Sequence, residues 1–157
     1  MSGRTDPTAP NAARFEPMEP AAHARWSRFG QSPEPLFWDL LGLQLEELRT
    51  DYARMRLPFR PELRQPAGVV HGGAIAGLLD TVVVPAVGWP FEAVPEMLTL
   101  SMTISYLGAI RGHDCIAEGW VTKRGRSIVF CEASARGADG DPVAAASLVY
   151  KVRATTS

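Results

Sequence analysis

The sequence predicts an α+β fold, a curved antiparallel sheet of about five strands wrapped around one central helix. Three observations point there. Residues 74–87 are apolar or small on every face except at Asp80 and Thr81, and a helix that is hydrophobic all round is a buried helix. Four later segments, 98–107, 114–123, 127–136 and 142–152, are each about ten residues long and rich in Val, Ile, Thr, Ser and Tyr. Short turns separate them, so they pair antiparallel, and the lone apolar helix needs their sheet as its cover.

The elements follow in order. Six of the 13 prolines fall in the first 35 residues, mixed with Ala, Ser and charges. Residues 1–20 therefore read as a mobile arm, with too little apolar surface to stay ordered. Residues 21–157 read as a single domain. His23–Phe29 forms a short helix, and Pro35–Leu41 a second, with Pro35 at its first position and Gly42 as its stop. Residues 43–60 mix Leu, Tyr, Met and Phe with Glu and Arg, and Tyr52–Leu57 has the alternation of a half-exposed strand. A proline-bearing connector, 58–67, leads to Gly68-Val-Val-His71-Gly72-Gly73 and the central helix. Pro85 is expected to interrupt that helix, and Gly88-Trp89-Pro90 to end it. The strand turns are Gly108–Gly112, Lys123–Arg126 and Ala138–Pro142.

Composition limits the function. A chain of 157 residues is one domain's worth, and 46% hydrophobic with 21% charged residues is ordinary for a globular protein. The charge, 16 basic minus 17 acidic, is −1. There is no global field to grip nucleic acid or an anionic membrane, so neither is an expected partner. The first residues hold no apolar signal-peptide core, and the longest apolar stretch carries Asp80 and Pro85 and is too short to span a bilayer. A turn at Arg124-Gly125 sets Cys115 opposite a residue near position 134, away from Cys131. Both cysteines read as free thiols in a reducing, cytoplasmic compartment.

The chemistry concentrates in Gln65–Asp80. Gly72 and Gly73 stand where an extended run hands over to the buried helix, so main-chain N–H groups and the helix's positive end face the same place. Such a site suits a developing oxyanion. Asp80 lies about two turns further on among Leu, Val and Ala, where a carboxylate is paired, perturbed or kept for chemistry. His71 reads equally as a turn residue, and Asp80 as a partner for main chain or a second subunit. His23 and His113 stand in unrelated segments, and no His/Cys spacing fits a metal. No nucleophile elbow or phosphate-binding loop is present.

Val70-His71-Gly72-Gly73, with Gly68 before it and Asp80 nine residues after the His, resembles the hotdog-fold acyl-CoA thioesterases. The match is to the PaaI-like branch that includes phenylacetyl-CoA and 4-hydroxybenzoyl-CoA thioesterases, and it covers about residues 36–153. The resemblance implies that Asp80 is the nucleophile or the general base towards water, and that the Gly72 N–H polarises the thioester carbonyl. It implies that His71 fixes the loop and that Gln65 orients water or the leaving sulfur. Thr99 falls where some relatives hold the attacking water. Lys123-Arg124-Gly125-Arg126-Ser127 resembles the family's K-x-G-R-S segment, beside the nucleotide end of CoA, where Arg and Lys suit phosphates. CoA is then part of the substrate, and no cofactor or metal is implied. The family's sites form between two chains, so a homodimer follows by resemblance, with a tetramer of two dimers as an extension. Val84 and Pro85 depart from the pattern, Val84 standing where some relatives carry a polar partner for the acid. The expected activity is hydrolysis of an aromatic or short- to medium-chain acyl-CoA. The alternatives are a non-catalytic acyl-CoA-binding module and a hotdog dehydratase, which would need a different His/Asp arrangement.

Overall fold

The structure, a computed structural model, describes residues 6–155. Two short helices, α1 (Pro20–Trp26) and α2 (Phe37–Leu41), precede strands β1 (Gln44–Arg49) and β2 (Tyr52–Leu57). The long helix α3 (Gly72–Gly88) follows, then β3 (Glu96–Tyr106), β4 (Cys115–Arg124), β5 (Ile128–Gly137) and β6 (Pro142–Arg153). All strands join one antiparallel sheet in the order β1-β2-β4-β5-β6-β3. The α+β architecture is as expected, a long helix laid on an antiparallel sheet.

Topology places the helix. It links β2, next to one edge, with β3 at the other edge, so it must cross the inner face of the sheet. The face it crosses is lined with small side chains. Ala117 and Gly119 of β4 and Ala133 and Ala135 of β5 lie in the floor, and a Cβ on Gly119 would stand 2.8 Å from both Val82 and Val83. Leu78, Leu79, Val82, Val83 and Val87 are fully buried against that floor.

Strand β1 is the sixth strand, beyond the sequence expectation. Glu46, Glu47 and Arg49 are edge charges that keep it from pairing further, and a segment without β-branched residues carries little strand signal. A turn at Thr50-Asp51, with Asp51 at φ 59°, joins it to β2. Helix α1 starts three residues earlier than expected, because the Glu19 carboxylate accepts the N–H groups of Ala21 and Ala22 and caps it. Helix α2 starts at Phe37, with Leu36 as its cap residue and Asp39 accepting the Leu36 N–H at 2.7 Å. It stops at Gly42, in the left-handed conformation at φ 69°.

Pro85 does not interrupt α3. It removes one intrahelical donor, but the last turn is held from outside. Arg124 donates to the carbonyls of Val87 (2.8 Å) and Ala86 (2.9 Å), and the Trp89 N–H reaches the Pro85 carbonyl at 3.1 Å. A guanidinium there also meets the negative end of the helix.

Of the expected arm, residues 1–5 lie outside the described residues, while 6–19 lie along the outer face of the sheet. Ala9 and Ala12 are buried there with Tyr52 and Trp120, and Phe15 stacks on Tyr52 with ring centroids 5.1 Å apart. Glu118 is buried beneath them. Its carboxylate accepts the main-chain N–H (2.9 Å) and the side-chain amide (3.0 Å) of Asn11 and the Tyr52 hydroxyl (3.0 Å). Coverage on both faces explains why Cys115–Trp120 are all buried.

Cys115 faces Gly137 and Cys131 faces Val121, so the two thiols are unpaired as expected, although Cys115 sits three residues from its expected partner near 134. Burial pushes both thiols up to about 12. The ordinary thiol value is near 9, so the unfolded chain ionises first and stability falls as pH rises from 9 towards 12. At pH 8 both thiols should resist an aromatic disulfide reagent in the folded protein and react fully in denaturant. Rapid reaction of either thiol without unfolding would contradict the burial.

Candidate active site

Helix α3 presents one stripe away from the sheet: Gly73, Ala76, Gly77, Asp80 and Val84, at the spacing of a single helical face. Helix α2 covers its middle, where a Cβ on Gly77 would meet Leu41 at 2.7 Å and Phe37 at 2.9 Å. Beyond that cover the stripe is open, and Asp80 stands in the opening.

Asp80 is half-buried and held by two hydroxyls. Tyr150 Oη lies 2.5 Å from its Oδ1 and 2.7 Å from its carbonyl oxygen, and Thr99 Oγ1 donates to Oδ1 at 3.0 Å. Thr99 and Tyr150 are register partners on β3 and β6, so strand pairing aims both hydroxyls at one carboxylate oxygen. Burial, and then the neighbouring Asp80 charge, push the Tyr150 hydroxyl well above its ordinary value, so it stays a neutral donor. Among the described residues nothing donates to Oδ2, which is the oxygen left for chemistry.

Tyr150 carried no sequence motif. The signal for it is alternation in Leu148-Val-Tyr150-Lys-Val152, which turns 148, 150 and 152 to the core. A buried tyrosine hydroxyl needs an acceptor.

The start of α3 forms a second centre. His71 is the cap residue, and its Nδ1 accepts the Gly73 N–H at 2.8 Å, which leaves the imidazole proton on Nε2. The Tyr106 hydroxyl donates to the Gly72 carbonyl at 2.8 Å, and a Cβ at position 72 would crowd the Tyr106 ring at 3.2 Å. Among the described residues the Gly72 N–H has no acceptor, as expected for the first residue of a helix. The loop before it is closed by its own bonds. The Gln65 N–H reaches the Val69 carbonyl at 2.9 Å, Gln65 Oε1 accepts the Ala67 N–H at 2.8 Å, and the His71 N–H meets the Leu63 carbonyl at 2.7 Å. The Gln65 amide therefore offers its NH2 end outward.

Asp80 and Thr99 are thus brought together, and Gln65, His71 and Gly72 form a separate group. Eight residues of helix at 1.5 Å each put Asp80 about 12 Å along α3 from Gly72.

Residues Lys123–Ser127 form the β4–β5 hairpin. Gly125 closes it with an N–H bond to the Ile128 carbonyl at 2.8 Å, and Lys123, Arg126 and Ser127 are exposed. Arg124 turns inward to the end of α3 and pairs with Asp51 at 2.6 Å. Its guanidinium is engaged by the helix end and by Asp51.

A cavity of about 570 Å³ opens beside Asp80, within the range of small-molecule sites. Trp26, Phe29, Trp38, Val84 and Met97 supply its apolar walls. Met97 follows the helix and reaches the cavity, whereas Trp89 faces Asp51, its indole N–H donating at 2.8 Å.

Residues 67–144 match the family model described as the Thioesterase superfamily. The order of strands and the single long helix match hotdog-fold structures. PaaI of Escherichia coli, from the phenylacetic acid degradation operon, superposes with a TM-score of 0.77 at 15% identity, over 88% of this chain and 99% of that one. The conserved protein PA5202 of Pseudomonas aeruginosa gives 0.69 at 27% identity, over 76% and 95%. A curated relative, "Putative esterase Rv1847" of Mycobacterium tuberculosis, is 45% identical over 56 residues, 32% of this chain. That alignment spans 40% of the relative's length. Among the described residues no helix is long and apolar enough to cross a membrane.

The Tyr150 bond is testable by stability. Tyr150→Phe removes a buried donor to a carboxylate and should cost about 1.5–3 kcal/mol, read as a fall of roughly 3–12 °C in thermal midpoint for a chain of this size. An unchanged midpoint would mean that Tyr150 does not hold Asp80.

Proposed function

We propose that the protein hydrolyses the thioester of an acyl-CoA. The observation that carries this reading is the carboxylate of Asp80. It is fixed through one oxygen by Tyr150 and Thr99, free at the other, and set at the head of an apolar cavity. A thioester is already activated, so a carboxylate and an oxyanion donor suffice without a serine triad.

The chemistry runs as a base-assisted hydrolysis. Water, held by the Thr99 hydroxyl as acceptor, gives a proton to Asp80 Oδ2, and its oxygen bonds to the thioester carbon. The carbonyl oxygen takes up the charge and is met by the Gly72 N–H at the positive end of α3. Collapse breaks the C–S bond, and the CoA thiolate recovers the proton from Asp80. The products are the free acid and CoA. The exposed Lys123, Arg126 and Ser127 suit the phosphates of CoA.

One chain cannot supply both groups to one carbonyl. Gly72 and Asp80 are about 12 Å apart on a rigid helix, while both must stand about 3 Å from the reacting group. The site is therefore composed across two copies, Asp80 from one and Gly72 from the other. Strand β3 supports that pairing, because it is an unpaired sheet edge with Leu98 52% and Leu100 54% exposed.

Two experiments test this. Free-thiol release should occur from a panel of benzoyl, phenylacetyl, hydroxybenzoyl, acetyl, hexanoyl, decanoyl and palmitoyl CoA esters. Asp80→Asn should lower kcat by at least about 100-fold, the scale of removing an acid–base group. Release from no ester with CoA esters still bound would favour a binding module instead.

The second experiment uses Gly72→Pro. It deletes one N–H at a position where proline fits a helix start, with His71 before it already extended at ψ 135°, and Gly72→Ala, which adds the same Cβ against the Tyr106 ring but keeps the N–H, is its control. The proline variant should lose about 10²–10³ in kcat. Unfolding and reassembling it with Asp80→Asn should restore about a quarter of wild-type activity, since half the dimers are mixed and each has one whole site of two. No recovery, with mixed dimers present, would place both groups in one chain's site.

A further inference from the structure

Three of the cavity's aromatic walls are contributed by α1, the turn after it and α2. Trp26, Phe29 and Trp38 follow one another, with ring centroids 6.4 Å and 4.9 Å apart. Trp26 is locked in place by Gly88, where any Cβ would occupy its ring. Two cations interrupt this wall. Arg25, in the last turn of α1, and Arg28, three residues on, both line the cavity.

Among the described residues neither makes an ion pair, although the exposed Glu19 carboxylate, whose pKa is lowered by the bonds it accepts from the Ala21 and Ala22 N–H groups, lies near enough to Arg25 for that charge to lower it further. Other arginines among the described residues, Arg60 and Arg64 included, also make no ion pair, and what sets Arg25 and Arg28 apart is that both line the cavity. Arg25 makes one long bond, Nη2 to the Trp89 carbonyl at 3.4 Å. Its Nε is buried without an acceptor, as are Nε1 of Trp26 and Nε1 of Trp38. These three N–H groups are shielded within the wall, so what the two arginines offer the cavity is their guanidinium ends, which are donors only.

We infer that the acyl group this cavity takes ends in a carboxylate, received by Arg25 and Arg28. A purely hydrocarbon tail would fill the aromatic walls and leave two guanidiniums unanswered, whereas a carboxylate is the acceptor that matches a guanidinium fork. The charge also sets direction. Asp80 repels a second carboxylate, so the tail's anionic end is driven to the α1 wall and the thioester end is left beside Asp80. This inference rests on the reading of the site as one for acyl-CoA.

Matched esters separate the two claims. Adipoyl-, suberoyl-, sebacoyl- and 4-carboxybenzoyl-CoA are compared with hexanoyl-, octanoyl-, decanoyl- and 4-methylbenzoyl-CoA, with 8-hydroxyoctanoyl-CoA as a neutral polar control. Affinity is read by quenching of tryptophan fluorescence in Asp80→Asn, which binds without consuming the ester, and kcat/KM is read in the wild type. At one length or shape the carboxylate ester should bind about tenfold or more tightly than its methyl-ended counterpart and than the hydroxyl control. In the Arg25→Met/Arg28→Met variant that ratio should fall to about one. Equal affinity within every matched pair, a hydroxyl control as tight as the carboxylate, or a preference that survives the double variant would each overturn the inference. If no ester is hydrolysed, the thioesterase reading fails, while the binding ratios still decide the carboxylate.

Discussion

The close approach of α3 to a floor of small side chains is the constraint on which the rest depends. Gly119 has no room for a methyl group beneath Val82 and Val83, and these two residues stand within one turn of Asp80. The depth at which the helix sits therefore sets how far the Asp80 carboxylate reaches past β3 and β6. A helix lifted by one methyl would part Asp80 from the Thr99–Tyr150 pair, because hydrogen bonds weaken steeply with such displacement. Packing and chemistry are the same contact seen from two sides of the helix.

Both ends of that helix are fixed by side chains from elsewhere in the chain. At the start, His71 spends its Nδ1 on the Gly73 N–H while Tyr106 holds the Gly72 carbonyl. Among the described residues the donor left over there is the Gly72 N–H. At the other end, Arg124 meets two carbonyls and Asp51, and Asp51 also accepts the Trp89 indole. The same bracing makes a proline in the last turn tolerable, since the helix end no longer relies on its own ladder alone.

The buried helix, the strands after it and the Gly72–Asp80 segment were legible because each has a strong local signal: all-round hydrophobicity, alternation, or a fixed spacing of unusual residues. Strand β1 was not, because its polar side chains belong to an edge whose pairing is decided by β2. Arg124 looked like a surface cation, since no local pattern tells that a hairpin will bring it to a helix end 37 residues away in sequence. Tyr150 was hidden for the same reason. Its partner is 70 residues distant, and only strand register shows that it faces Asp80. What the sequence concealed was long-range polar pairing, the class of contact with no period.

The aromatic roof of the cavity comes from residues 20–41, whereas the matched family segment is 67–144. The acid, the helix and the glycine turn lie inside the matched segment, and the wall beside them is built by chain that precedes it. Any exchange of residues 20–41 would have to keep Leu41 and Phe37 against Gly77 and Trp26 against Gly88, because the stretch that walls the cavity also seats the helix that carries Asp80.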